Sequence, residues 1–260
     1  MAGGFQHRKS FGQHFLKSEE TALEIVNSLN CPDELKQILE IGPGHGILTK
    51  HLIKLPGKTI FVSEIDERII HFLKTELQFP AERIIEGDFL RADIDNYMKG
   101  NFAAIGNFPY NISSQILFKV LEIKDQVPLL LGMFQREMAQ RVAAKHGNKD
   151  YGVITVLVQA YFDVNYLFEL PPEAFDPQPK VFSAVIRLTR KKENPSCSEN
   201  LLRQVVKTAF NQRRKKLSNA LASLHGGIEA LKNHNFENLR AEQLSIEDFI
   251  SLTTTIEKQR

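Results

Sequence analysis

Asn107, Phe108, Pro109 and Tyr110 stand together in GNFPYNIS (106–113), directly after the apolar run FAAI. Bare turns favour small polar residues, so two aromatic rings flanking a proline need a further reason. An amine on a flat heteroaromatic ring supplies one. Such an amine is a poor nucleophile because its lone pair is delocalised into the ring. The Asn107 side-chain carbonyl can accept one amine hydrogen and the backbone carbonyl of Phe108 another. Two acceptors off the ring plane favour a pyramidal nitrogen with its lone pair free. Pro109 fixes its own φ and stiffens the turn, and Tyr110 can stack on the base. No strong general base stands in the segment, so positioning must do most of the work. A base in a duplex would have to be flipped out, or the target must be single-stranded. The same residue types also make an Asx-type turn with two core aromatics.

A second group of residues reads as a binding site. IGPGHG (41–46) lies between a strand pattern and a helix pattern. Gly42 and Gly44 let the backbone turn tightly and approach a ligand at a helix N-terminus. Glu64 follows about 20 positions later, at the end of the next strand pattern, where an acid can accept from ribose hydroxyls. Asp88 ends the third strand pattern and can accept from an adenine amino group. Each acid alone also suits a helix cap or a solvated loop. Together with the Gly turn they point to an adenosine-containing cofactor, either NAD or S-adenosyl-L-methionine. The full G-x-G-x-x-G spacing of pyrophosphate binders is missing. The sulfonium cofactor has no pyrophosphate, and GNFPY after the fourth strand fits a methyl acceptor.

These residues need a scaffold that brings strand ends to one edge, and the chain has its rhythm. Between about 20 and 135, helix and strand patterns alternate: QILEI (37–41), TIFVSEI (59–65), RIIEGD (83–88), NFAAIGN (101–107) and VPLLLGMF (127–134) read as strands, with helices such as ILTKHLIKL (47–55), DERIIHFLKTEL (66–77) and SSQILFKVLE (113–122) between them. This predicts an α/β fold, a parallel sheet covered by helices on both faces. After 150, YGVITVLVQAYF fits a buried helix or a strand, with helix favoured, and FDVNYLFEL (162–170) and KVFSAVIRLTR (180–190) read as strands around the Pro-rich loop PPEAFDPQPK. From 201 onward the signals are helical only, and Ser245 with Asp248 has capping-box spacing. The expected domains are 1–190 and a small all-α domain over 191–260.

Of the 260 residues, 42% are hydrophobic and 25% charged, enough for a sizeable core, and the net charge is only +2. The charge is unevenly placed: residues 1–18 hold Arg8, Lys9 and Lys17, and residues 200–228 hold Arg203, Lys207 and the run Arg213, Arg214, Lys215, Lys216, both stretches without an acid. Two basic islands suggest a one-sided field, although a solvated helix face would look the same. Cys31 and Cys197 lie far apart and suit free thiols in a reducing cytoplasm, and no metal site is expected. No stretch reaches membrane-span length, and MAGGFQHRKS lacks the apolar core of a signal peptide.

Eight segments extend the pattern over essentially the whole chain: KSFGQHFL (9–16), LEIGPGHGILT (39–49), SEID (63–66), EGDFL (86–90), GNFPYNIS (106–113), FQREMAQR (134–141), FDPQPKVFSAV (175–185) and FNQRRKKLSNAL (210–221). In this order they resemble the small-subunit ribosomal RNA adenine dimethyltransferases, the kasugamycin-sensitivity family. The resemblance implies a class I S-adenosylmethionine-dependent methyltransferase, with a Rossmann-like, mostly parallel sheet whose last strand is antiparallel, and a C-terminal helical domain. It implies dimethylation of two adjacent adenosines near the 3′ end of small-subunit rRNA, with a role in small-subunit biogenesis. The partner is then the small-subunit rRNA or the immature small ribosomal subunit, and a cytoplasmic monomer is expected. His14, Leu16, Gly42, Gly44, Glu64, Asp88 and Asn107 would line the cofactor. Asn107, Pro109 and Tyr110 would hold the amine, with Phe175 as a second stacking aromatic. Many members of the family have Asn where this chain has His14. GQHFL becomes a lid-like segment, and Arg8, Lys9 and Arg213 to Lys216 become rRNA backbone contacts. Alternatives are a large-subunit rRNA methyltransferase of the erythromycin-resistance type, or an assembly factor whose binding role dominates.

Overall fold

The computed structural model describes residues 13–259. They fall into two packing units: residues through Ala139 with Asn165–Arg190, and Gln140–Val164 with Lys191 onward. Along the chain, the elements up to β9 are β1 (Phe15–Leu16), α1 (Glu19–Ser28), β2 (Gln37–Ile41), α2 (Thr49–Leu52), β3 (Thr59–Glu64), α3 (Glu67–Thr75), β4 (Ile84–Glu86), β5 (Phe102–Asn107), α4 (Ser113–Glu122), β6 (Leu129–Gln135), α5 (Arg136–Val142), α6 (Val153–Gln159), β7 (Phe162–Leu170), β8 (Phe175–Asp176) and β9 (Ser183–Arg190).

Seven strands form one sheet in the order β4-β3-β2-β5-β6-β9-β7. The pairs from β4 through β6 are parallel, and β9 runs antiparallel to β6. The central strands are buried along nearly their whole length, which is why β2, β5 and β6 read as continuous apolar runs rather than alternating ones. Chain order reverses at β2, with β3 on one side and β5 on the other. A crevice opens outside the carboxyl ends of strands at such a switch point. One expected helix is shorter than its pattern: residues 47–55 hold α2 over Thr49–Leu52 only. Beyond it, Lys54 and Leu55 donate to carbonyls three residues back, and the chain then meets Pro56 and Gly57. The Pro-rich loop carries a strand of its own, β8, which pairs antiparallel with β1.

The second unit adds α7 (Glu199–Asn211), α8 (Leu217–Ala220), α9 (Gly227–His234) and α10 (Ile246–Glu257). The expected boundary at 190 therefore needs a correction, because residues 140–164 group with the C-terminal helices. Ile154 to Val158 are all buried, and α6 packs against α7 and α10. Tyr151, Phe210 and Phe249 make a ladder of rings, with centroids 6.0 and 5.9 Å apart. Periodicity shows that a segment is buried, but not by which neighbour. The expected capping box closes α10: Ser245 Oγ accepts from the Asp248 N–H at 3.0 Å, and the Ser245 N–H donates to Asp248 Oδ2 at 2.9 Å.

Candidate active site

The cleft lies in the first unit, at the carboxyl edge of β2, β3, β4 and β5, and encloses a cavity of about 290 Å³. Its floor is the Gly turn after β2. Gly42 has φ +71° and Gly44 φ +53°, a region that side chains rarely adopt. A Cβ on Gly44 would sit 2.7 Å from the Phe15 ring, so only glycine lets the β1 segment close over this turn. Phe15 in turn stacks on His45, with centroids 4.1 Å apart. His14 and Leu16 line the same wall.

Glu64 ends β3 and is almost fully buried. Its Oε1 accepts from the Ile65 N–H at 2.8 Å and the Asp66 N–H at 2.9 Å. Burial pushes its carboxyl above the usual carboxylate range, while the backbone N–H groups of Asp66, Ile65 and Gly44 pull it back. The carboxyl is thus fixed at the rim of the cavity, where it can accept from a diol. Asp88 follows β4. Its Oδ1 accepts from the Leu90 N–H at 3.0 Å, and its Oδ2 lies 3.7 Å from Arg91 Nε. Between the two acids, Ile65, Phe89 and Leu90 give apolar walls for a flat ring. The donor set therefore fits an adenosine with a charged amino-acid tail: a diol acceptor, an amine acceptor, apolar plates and a turn whose backbone can be approached.

Asn107 is the last residue of β5. Its Nδ2 donates to the His14 carbonyl at 2.7 Å, which fixes the amide and leaves Oδ1 as the acceptor end. A carbonyl can only accept, so the amide end that faces it is the nitrogen. Tyr110 is tethered at its hydroxyl, 2.5 Å from Ser183 Oγ, and its ring stacks on His14 with centroids 5.1 Å apart. The His14 ring is held by its Nδ1, which donates to the Pro177 carbonyl at 2.6 Å. Asn107, Pro109, Tyr110, His14, Leu16, Gly42, Gly44, Glu64 and Asp88 thus come together around one cavity.

The Phe108 ring is packing. It is only 1% exposed, edge-on to Phe134 at 5.1 Å. Space for it comes from two glycines paired across the sheet, Gly106 and Gly132. A Cβ on either would run into the ring.

Phe175 is not brought to the cavity. It is 0% exposed, lies in the hydrophobic core and pairs with Leu16 across the β1–β8 ladder. A stacking aromatic must present a face, and here that face is spent on core. Arg8 and Lys9 lie outside the described residues. Arg213 to Lys216 fall in the turn between α7 and α8 rather than on a helix face. Arg213 lies 3.8 Å from Glu242, Lys216 Nζ donates to Asn238 Oδ1 at 2.9 Å, and Arg214 and Lys215 are exposed.

Glu40 and Ser183 were not expected. Glu40 lines the cavity at 1% exposure, accepts from Thr49 Oγ1 at 2.6 Å, and burial pushes its carboxyl up to about 8, with the neighbouring Glu64 adding to the rise. A charged residue inside the buried run QILEI was the available signal. Nothing in SAV marked Ser183 as the partner of Tyr110. Among the described residues, no group of three or more His, Cys, Asp or Glu could hold a metal ion. No helix among them is long and apolar enough to cross a membrane.

A sheet of this order, with a Gly turn, an acid after each of the next two strands and an Asn-led clamp after the fourth, defines a class I S-adenosylmethionine-dependent methyltransferase. Solved structures share the whole fold. A dimethyladenosine transferase from Plasmodium falciparum superimposes with a TM-score of 0.82 at 23% identity, over 95% of this chain and 98% of that one. The 23S rRNA methyltransferase ErmE gives 0.71 at 24% identity, over 94% and 99%. The chain belongs to the ribosomal RNA adenine dimethylase family, whose sequence profile matches residues 4–258. It is similar to the ribosomal RNA small subunit methyltransferase A of Cytophaga hutchinsonii, 46% identical over 250 residues and 96% of each chain. The protein of the same name from Bacteroides thetaiotaomicron is 45% identical over 253 residues, 96% of this chain and 94% of that one. The protein is an rRNA adenine N6,N6-dimethyltransferase that uses S-adenosylmethionine.

Proposed function

We propose that this chain dimethylates the N6 amines of two adjacent adenosines near the 3′ end of small-subunit rRNA, acting on the immature small subunit as a cytoplasmic monomer. Support for the small subunit comes from relatives at 46% and 45% identity, both named as small-subunit methyltransferases. The large-subunit enzyme shares the fold at 24% identity, which is too distant to carry a substrate.

The cofactor, when bound, supplies an electrophilic methyl group on a sulfonium. Glu64 holds the ribose diol, Asp88 the adenine amine, and the Gly42–Gly44 turn with the β1 wall encloses the rest. Asn107 Oδ1 and the Phe108 carbonyl accept the two hydrogens of the target amine and turn its lone pair toward the cavity. Tyr110 stacks on the base, with its hydroxyl fixed by Ser183. The N–CH3 bond would form as the sulfonium S–CH3 bond breaks, and the nitrogen, cationic at that point, would release its proton to water, since a neutral amide does not trap the charge. The turn at Arg213 to Lys216, with Arg8 and Lys9, contacts the RNA backbone.

The observation that carries this reading is the anchored amide of Asn107, whose Nδ2 is committed to the His14 carbonyl at 2.7 Å. Asn107→Ala removes the acceptor, and turnover on immature small subunits should fall by about 10²-fold or more. Methyl transfer at close to the wild-type rate would overturn the assignment.

A further inference from the structure

Phe182 stands immediately before β9 and is 39% exposed, beside the equally open Val181. A single exposed ring is ordinary by itself; the way this one is held is not. This one is held in place: Arg136 lies over it, guanidinium carbon 5.0 Å from the ring centroid, and the Arg136 N–H donates to the Phe182 carbonyl at 2.9 Å. Arg136 is steadied from a second side, with Nη1 3.6 Å from Glu169 Oε2, and Tyr166 donates to Glu169 Oε1 at 2.6 Å. An aromatic ring paired with a guanidinium and still open to solvent is what single-stranded RNA stacks on.

Its position says which part of the RNA. β9 is antiparallel to β6 with Ser183 opposite Gln135, so Phe182 and Arg136 lie at the edge where β5 ends in the Asn107 clamp. The next residue, Ser183, is hydrogen-bonded to Tyr110. From β5 across β6 to β9 is two strand spacings, about 10 Å. An adenosine drawn into the clamp leaves its neighbour without a stacking partner, and the strand must leave the cleft past this point.

We propose that Phe182 and Arg136 form a second binding subsite, on which the nucleobase next to the target adenosine stacks while the guanidinium meets the intervening phosphate. The proposal rests on the RNA reading above. A protein partner at the same ring is the competing occupant.

Two measurements test it. Steady-state methylation of immature small subunits is compared for wild type, Phe182→Ala, Phe182→Leu and Phe182→Tyr. Loss of one base stack should lower kcat/KM by about tenfold in the Ala and Leu variants, mostly through KM, while Tyr keeps it within about twofold. A single-stranded RNA oligonucleotide with 2-aminopurine beside the target adenosine should be quenched by wild type and Phe182→Tyr, and not by Phe182→Ala. Kinetics unchanged in Phe182→Ala, or full rescue by Leu, overturn the stacking subsite. So does an effect on the particle with equal quenching by wild type and Ala, which assigns the ring to a protein contact. Wild-type protein that leaves small-subunit RNA unmethylated overturns the substrate reading beneath it.

Discussion

Gly106→Ala is the sharpest test of how the sheet holds the clamp. A Cβ at 106 would lie 2.5 Å from the Ile41 carbonyl oxygen and 2.6 Å from Cε1 of Phe108. Ordinary contacts begin near about 3.5 Å, so about 1 Å must be found in two directions at once. Ile41 ends β2 within a parallel ladder and leads directly into Gly42. Phe108 is packed against Phe134 and leads directly into Pro109. Neither neighbour is the loose end of a side chain, so both halves of the site must shift. Overpacking of this kind costs about 1–3 kcal/mol of stability, and a 1 Å misplacement costs about 10²-fold in rate. Thermal unfolding, cofactor affinity by calorimetry and methyl transfer to immature subunits should all show losses. Gly152→Ala is the control, since nothing lies within 4 Å of a Cβ there. If Gly106→Ala binds cofactor and turns over like wild type, the coupling through this glycine is refuted.

Glu40 makes stability depend on pH. Its folded value of about 8 lies above the ordinary 4.5, so between them the folded state holds a proton that the unfolded chain has lost. Stability should fall as pH rises through this window, by up to about 1.4 kcal/mol per unit. Glu40→Gln can still accept from Thr49 and should flatten the fall, as measured by thermal unfolding from pH 5 to 9. Tyr110→Phe keeps the stacking ring but leaves the buried Ser183 hydroxyl without its partner. It should cost about 1–3 kcal/mol in unfolding assays, with a smaller effect on turnover. Changing Arg213, Arg214, Lys215 and Lys216 together to Ala should weaken subunit binding and reduce the slope of log K against log salt by about 2, given that Arg213 is already engaged by Glu242. An unchanged slope would leave the run as solvated surface.

Much of this site was legible in the sequence because its residues are tied to strand ends. Gly42, Glu64, Asp88 and Asn107 each terminate or follow a strand whose pattern is plain, and a parallel sheet brings such ends to one edge whatever else the chain does. Contacts made across long sequence distances were not legible. The Tyr110 to Ser183 bond and the pairing of β1 with β8 depend on how two irregular segments meet, which no local period encodes. Phe175 shows the limit clearly. Its family motif says stacking aromatic, yet the ladder with Leu16 turns the ring into the core. The segment of α6 fits helix or strand by its pattern alone, and a boundary at 190 separates it from α7 and α10, against which it packs, because an all-apolar stretch has no distinguishing face.

The short ladder between Phe15–Leu16 and Phe175–Asp176 also bears on turnover. The cavity wall and the Pro-rich loop share their hydrogen bonds, so the wall opens only by carrying the loop with it or by breaking the pairing. Adding two methyl groups to each of two adenosines, as proposed above, would require the spent donor to be exchanged between transfers. An RNA strand that holds the loop would then slow that exchange, and a filled cavity would stiffen the loop that meets the RNA. Linkage makes the effect on affinity equal in both directions. On that reading, the number of methyl groups added per encounter would depend on donor exchange relative to RNA departure, with the two residue pairs of this ladder coupling the two.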